Sequence, residues 1–376
     1  MSISFPAPAN AYRLRLEQLR GALQRADLAG AILSSREYIR HATGVMDTPS
    51  FLALIDDRGW LVAPEGTDIS SAIECGIEVE CYRAYDPTTF VDPQSEAVAV
   101  MSRLIHRLPW RSVVGVETQL LAVELGDALG LVERADLAEA IAAWRVRRDP
   151  TEIAAVRAAV NVVDRALESA AALVRPGITE RELFEAATEA LRAEVHGSLK
   201  IGGNLASGGR TCLDGPLPTD RRLGRGDLVL LDLYPEVDGY VADLCRTWVV
   251  GEPSLTQRIR HEAVEKALQA AKAIMRPGVI GKDIDAVLRA SMCEIVGPLG
   301  SSMSHHGGHG VGLFAWERPW IGSASQDRLT EGSIIAIEPG IYEPGWGGIR
   351  IESNFLVTDV GVEQLDSSPR SLTRGA

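Results

Sequence analysis

No CxxC pair occurs in this sequence. Its five cysteines (75, 81, 212, 245 and 293) are scattered and odd in number. That excludes a disulfide framework and leads us to expect reduced, intracellular thiols. Cys245 falls inside an apolar strand pattern, so it reads as a small core residue rather than a nucleophile. No apolar run approaches the ~20 residues of a membrane span, so no membrane partner is expected. The opening stretch MSISFPAPANAYRLRLEQLR lacks a charged segment followed by an apolar one, which argues against a secretory leader and for the cytoplasm. Positive charge is in deficit: 38 Lys and Arg stand against 51 Asp and Glu, a net charge of -13. Phosphate backbones recruit basic surfaces, so nucleic acid is not an expected partner. What is present is globular: 376 residues, 46% hydrophobic and 24% charged, enough for two domains.

Residues 11–28 form an amphipathic helical pattern with Leu14, Leu16, Leu19 and Leu23 among polar residues, stopped by Gly30. Strand-like runs follow at 31–33, 51–55, 60–62, 78–82 and 113–117, with helical patterns at 94–107 and 118–130. This alternation predicts a small α/β domain over residues 1–145. Within residues 38–44 (YIRHATG), His41 reads as structural. The charged stretch 144–151 (WRVRRDPT) separates two helical patterns and marks a boundary, with a second domain over 146–376. Its charges read as solvated.

The second domain repeats itself. Helical patterns at 152–174 and 180–194 flank Arg175-Pro176-Gly177-Ile178, and patterns at 258–275 and 282–296 flank Arg276-Pro277-Gly278-Val279. Apolar positions match as well as the RPG turn, which predicts two related halves with approximate twofold symmetry and a cleft between their sheets. A chance match is the alternative, since Pro-Gly is common after helices.

Between the helix pairs, residues 228–250 (LVLLDLYPEVDGYVADLCRTWVV) place Asp238-Gly239 between two apolar, β-branched-rich runs. Asp-Gly in that setting signals a hairpin with a type I′ turn. Paired positions then sum to 477, so Asp232 faces Cys245 and Asp243 faces Tyr234. Asp232 and Asp243 share a face as diagonal neighbours. Two carboxylates on an apolar sheet repel unless a proton or a cation lies between them. The plain alternative is a solvated outer face.

Three further candidates follow. His309 sits in GGHGVGL, where flanking glycines permit close backbone approach and expose the ring. Glu338 ends the apolar strand of IIAIEPGIY, and Glu352 lies inside the returning strand of IRIESNFLV. A glutamate there needs a partner. Arg350 on the same strand face is the simple one; convergence of Asp232, Asp243, His309, Glu338 and Glu352 on metal is the other. Four carboxylates and one imidazole suit two divalent ions, with Mn, Co, Fe(II) or Zn favoured over a structural zinc, which prefers Cys and His.

Asp232 and Asp243 eleven apart, GHGVGL, EPGIY and IRIE together resemble the pita-bread metallohydrolases, the family of methionine aminopeptidase, Xaa-Pro aminopeptidase, prolidase and creatinase. The resemblance is strong over about 145–365 and weaker over the first domain, where YIRHATG resembles the creatinase-type N-terminal domain. It implies an α/β (α+β) chain with a creatinase-like N-terminal domain and a pita-bread catalytic domain. It implies that Asp232 binds one ion, Asp243 and Glu352 bridge both, and His309 and Glu338 bind the second. The ions would lower the pKa of a shared water and polarise the carbonyl attacked. Glu338 would shuttle the proton to the leaving nitrogen. His305 would contact substrate or the tetrahedral intermediate, with His306 pointing elsewhere. A homodimer is expected from the same resemblance.

Two departures concern the substrate side. Where Xaa-Pro peptidases carry a histidine, this chain has Asp214 or Gly215 in RTCLDGPLPTD; where they have His-Glu-x-Pro, it has Trp316-Glu317-Arg318-Pro319. Asp214 would then meet a cationic group, Trp316 would stack on one, and Arg210 would meet a carboxylate. Plain loop and cleft-wall roles are the alternatives. The expected function is hydrolysis of an amide C–N bond in a short Xaa-Pro peptide or other small molecule. The alternatives are a non-peptidase of this fold acting on a small cationic or zwitterionic metabolite (ectoine-hydrolase-, creatinase- or sulfoniopropionate-lyase-like) and a non-catalytic binding module.

Overall fold

The computed structural model describes residues 7–46, 50–110, 112–301 and 303–373. The first six residues, part of the stretch read for a leader, lie outside them. No described helix is long and apolar enough to cross a membrane. The chain divides into two compact units, the first closing at Arg145 and the second running on from Val146.

The first unit is a six-stranded mixed sheet in the order Glu78–Tyr82, Arg58–Pro64, Phe51–Ile55, Gly30–Leu33, Val114–Val116, Arg134–Asp136. Its four central strands bury both faces. Leu33, Leu52, Leu54 and Leu61 pack with the helix Ala9–Arg25, while Ile32, Ala53 and Val62 pack with the helix Pro93–Arg107. Adjacent residues go to opposite faces, as a period of two requires. In the first helix the buried stripe is Tyr12, Leu16, Leu19 and Leu23, whereas Leu14, expected in the stripe, is exposed. The helix expected at 118–130 begins only at Val123. His41 is buried, with Nε2 2.7 Å from Arg145 Nη1 and its ring 5.0 Å from Trp144. Arg145 is therefore not solvated, contrary to expectation.

The second unit bears out the repeat. Helices Pro150–Leu173 and Glu180–Glu194 correspond to Leu255–Ile274 and Gly281–Val296. Capping boxes start three of the four, at Asp149/Glu152, Thr179/Glu182 and Ser254/Gln257, each satisfying orphan amide groups. The two RPG turns are held alike. Gly177 N donates to Leu223 O and Gly278 N to Leu329 O, both at 2.8 Å; Leu223 N returns to Ile178 O and Leu329 N to Val279 O, both at 2.9 Å. Both glycines have positive φ, 88° and 91°, which a side chain would strain. Equal hydrogen bonding at both turns excludes a chance sequence match.

Each helix pair covers a sheet. The first half has Gly203–Ser207, Leu228–Leu233 and Leu244–Val249; the second has Glu317–Ile321, Gly308–Gly310, Ile334–Ile337, Ser353–Val357 and Val362–Gln364 in spatial order. A separate hairpin pairs Gly340–Glu343 with Gly347–Arg350. The long hairpin has the expected register: Asp232 pairs with Cys245 and Val237 with Tyr240. Asp238 and Gly239 both have positive φ, 48° and 87°, as type I′ demands. The ladder breaks before Asp243, so Asp243 stands just outside the strand beginning at Leu244.

Candidate metal centre

Five chain segments deliver the candidate ligands. Asp232 is the penultimate residue of Leu228–Leu233, Asp243 precedes Leu244–Val249, His309 is the middle of Gly308–Gly310, and Glu338 follows Ile334–Ile337. Glu352 is not inside a strand, as expected, but at the break between Gly347–Arg350 and Ser353–Val357. There its N–H donates to Cys245 O at 3.0 Å, tying it to the aspartate hairpin. The glycines beside His309 are required by close backbone contact. A Cβ on Gly308 would lie 2.1 Å from Ala336 O, and one on Gly310 2.5 Å from Arg318 O. They seat the histidine strand tightly between its neighbours, and the His309 ring is buried rather than exposed.

The five side chains converge. Single donor atoms of Asp243, His309 and Glu352 all lie within 4.8 Å of one another. His309 Nε2 is 3.8 Å from Asp243 Oδ2, 3.6 Å from Glu338 Oε1 and 4.0 Å from Glu352 Oε1. These separations are too long for hydrogen bonds and suit donors sharing a central ion. All five residues are buried. Asp232 Oδ1 and Glu352 Oε1 are buried with no hydrogen-bond partner among the described residues. Acceptor oxygens orphaned in this way fit direct ligation to a hard divalent cation.

Electrostatics agree. Burial, then Asp232 and Glu338, push the Asp243 carboxyl well above its ordinary range. Burial, then Asp243, Glu338 and Asp232, do the same to Glu352. Burial raises Asp232 against the pull of Arg350, and raises Glu338 to about 8. Burial lowers His309 to about 3, leaving a neutral imidazole whose Nε2 lone pair is available. Such an assembly is strongly biased towards taking up positive charge.

Arg350, expected as a partner for Glu352, instead donates Nη2 to Asp232 Oδ2 at 2.5 Å. Glu352 is thereby left to the cluster. His305 and His306 both approach Glu338, with Nδ1 3.6 Å from Oε2 and 3.2 Å from Oε1 respectively. His306 thus points into the site, not away from it. Its ring packs against Trp320 at 4.0 Å between centroids, which fixes the direction. His305 Nε2 is 2.8 Å from the Tyr342 hydroxyl, and burial lowers its pKa to about 3. Tyr342 was not singled out in the sequence, although it closes the EPGIY segment.

On the substrate side, Trp316 is 71% exposed, with its ring 6.4 Å from that of His309 and nearly perpendicular to it. Its neighbour Glu317 anchors the loop, accepting from Leu313 N and Phe314 N and from buried Arg148 at 2.8 Å. Arg148 was expected in solvent; this partner, far along the chain, keeps it inside. Asp214 is exposed and near enough to Glu338 to raise its pKa. Arg210 is directed elsewhere, with its guanidinium bonded to buried Glu180, to Leu217 O and to Thr219.

A family profile described as "Metallopeptidase family M24" matches residues 154–359, and one described as "Creatinase/Prolidase N-terminal domain" matches 15–146. The chain is 33% identical to an Xaa-Pro dipeptidase of Pyrococcus horikoshii over 69% of this chain and 74% of that one. It is 27% identical to an uncharacterized peptidase of Bacillus subtilis over 96% and 99%. Among solved structures, an Xaa-Pro dipeptidase from Bacillus anthracis superimposes with a TM-score of 0.85 at 25% identity, covering 96% of this chain and 99% of the other.

Proposed function

The chain belongs to metallopeptidase family M24 and is a metal-dependent amide hydrolase, and on that footing we propose that it cleaves Xaa-Pro peptides with two divalent ions held by Asp232, Asp243, His309, Glu338 and Glu352. The observation that carries this reading is the buried cluster of four carboxylates and one neutral imidazole, two of whose oxygens lack a hydrogen-bond donor among the described residues. Relatives named Xaa-Pro dipeptidase supply the substrate class. Mn(II) is our first choice of ion, with Co, Fe and Zn as competitors, on the oxygen-rich donor set.

When bound, the ions supply Lewis acidity, acidifying water and polarising the scissile carbonyl. The chain's own groups do the rest. Arg350 fixes the Asp232 carboxylate and leaves its second oxygen open. Glu338, flanked by His305 and His306, is placed to accept a proton and pass it to the leaving nitrogen. His305, neutral, has both ring nitrogens engaged, Nδ1 2.7 Å from His306 O and Nε2 2.8 Å from the Tyr342 hydroxyl, so a contact with the tetrahedral oxygen requires one of these bonds to open. Trp316 offers a bare indole face for the substrate beside His309. Trp316→Ala is accordingly expected to raise KM about tenfold with kcat within about twofold, since an aromatic face contributes on the order of 1 kcal/mol to a bound cation or ring. We also propose a homodimer, which sedimentation velocity would test.

The central experiment is proline release from Xaa-Pro dipeptides by Mn(II)-loaded protein. We expect turnover that a chelator abolishes and added Mn(II) restores. Absence of release, with metal demonstrably bound, overturns the peptidase reading in favour of a small cationic or zwitterionic amide. One feature favours that second reading. Arg289 pairs with Asp285, Arg318 with Asp327, Arg210 with Glu180 and Arg350 with Asp232, while Asp214 and Trp316 stand exposed. A substrate carboxylate then finds its guanidinium partners already committed.

A further inference from the structure

Behind the candidate ligands lies a second buried ionic group that the mechanism above does not use. Arg246 and Asp366 pair at 2.8 Å, and both side chains are almost completely buried. Arg246 Nη1 donates to Glu352 O at 2.6 Å and to Cys245 O at 3.0 Å, and Nη2 and Nε reach Ser368 O at 3.1 and 3.3 Å. Asp366 accepts from Asn354 N and from Ser353 Oγ, both at 3.0 Å, and from Gln364 at 3.1 Å. Asn354 in turn grips the main chain of Asp243 from both sides. Its Nδ2 donates to Asp243 O at 2.7 Å, and its Oδ1 accepts from Asp243 N at 3.1 Å. The segment carrying Asp366 is itself held, because Asp164 accepts from Ser367 N, Ser367 Oγ and Ser368 N at 2.7–3.0 Å.

Asp243 and Glu352 both stand just outside regular strands, so they are not themselves members of a ladder, although the strands beside them are paired. Their peptide groups are fixed by this network instead. A buried ion pair is a poor source of stability, because desolvation cancels most of its attraction; its value lies in geometry. Donor atoms about 4 Å apart must meet one ion, so a small rotation of either backbone would misplace a carboxylate.

We propose that Asp366, Arg246 and Asn354 are positioning residues, through which the C-terminal segment sets the geometry of the metal centre by locking the main chain of Asp243 and Glu352. The proposal rests on those two residues being ligands. None of the three touches the open face of the site, where Trp316 and Asp214 stand.

The test is cobalt binding to the full chain, the parent against Asp366→Asn and Asn354→Ala, read by titration and by the visible d–d spectrum of bound Co(II). Both variants are expected to bind cobalt about 10- to 100-fold more weakly, in the range for loss of a group that orients a ligand. Their d–d bands should change in position and intensity. Kinetically, kcat should fall while KM stays within about twofold. A purely structural role would lower the melting temperature and leave affinity and spectrum at parental values, and that result overturns the proposal. Asp366→Asn leaves Arg246 buried against a neutral group and so endangers folding. Asn354→Ala strands no charge and decides the matter alone if the first variant fails to fold. A parent protein that takes up no cobalt overturns the metal reading itself and this proposal with it.

Discussion

Asp243→Asn is expected to abolish turnover and at the same time to make the metal-free protein more stable. The two effects share one cause. Asp243 lies between Asp232, Glu338 and Glu352, and burial together with these neighbours drives its carboxyl well above the ordinary range. The folded chain therefore bears the cost of holding that charge for the sake of a cation. Asparagine keeps the shape and removes the charge, while the main chain of residue 243 remains clasped by Asn354. Metal-free variant should melt a few degrees above metal-free parent at pH 8, and the margin should shrink as pH falls and the raised carboxyls of the parent take up protons. Activity should fall by at least about a thousandfold, since a correctly held ion supplies several kcal/mol of transition-state stabilisation. Differential scanning calorimetry and a discontinuous peptidase assay on the same samples check both halves. A metal-free variant less stable than its parent at pH 8 would contradict the account of the cluster.

The second large effect concerns pH. Glu338 is raised to about 8 in the folded chain, and Asp232, Asp243 and Glu352 are also raised, by burial first. A carboxyl with a raised folded pKa binds more protons folded than unfolded between its two pKa values. Its contribution to stability is then complete below the unfolded value, about 4.5, and is lost as pH rises through the folded value. Up to about pH 6.5 this loss is opposed by His305 and His309, lowered to about 3, whose contribution grows as pH rises. Metal-free protein should accordingly lose stability chiefly between about pH 6.5 and 8, and bound metal should flatten that slope by replacing the protons. Metal uptake at pH 7 should also release protons, which calorimetry in two buffers of different ionisation enthalpy would count. Uptake without proton release would falsify the raised values.

The parts legible in the sequence were those set by neighbours along the chain. Asp238-Gly239 fixes its own turn, and with it the pairing of Asp232 and Cys245, because only such residues accept two successive positive φ angles. The capped helices and the duplicated RPG turns are local in the same sense. What escaped depended on partners far away. Arg148 reads as a surface charge until Glu317, 169 positions on, is placed beside it. Arg350 reads as the partner of Glu352 two residues away, yet its guanidinium meets Asp232 across 118 positions. His306, next to His305 in the chain, reads as pointing elsewhere, but Trp320 packs against its ring and sets its direction. The break at Glu352 had no signal, since apolar residues continue on both sides. The five candidate ligands are visible because their motifs are short, whereas the network through Asp366 is assembled from residues that carry no motif.

The distribution of the candidate ligands has a consequence for how the chain reaches its native state. Asp232 and Asp243 belong to the first half of the repeat, and His309, Glu338 and Glu352 to the second. Neither half can assemble the donor set alone, and the Asp243–Asn354 clasp spans 111 positions. Metal therefore cannot nucleate the fold as it does in a short zinc motif, where ligands close together in sequence gather early. The ion is captured only after the long-range sheets have met, a slow class of event in which the cost of closing loops comes first. Before the halves meet, these carboxyls are solvated and ionised at their ordinary values; burial raises them only on docking, when they take up protons or metal. With these residues as the ligands, metal uptake is expected to be the last step of maturation, and its rate after dilution from denaturant should time the docking of the two halves.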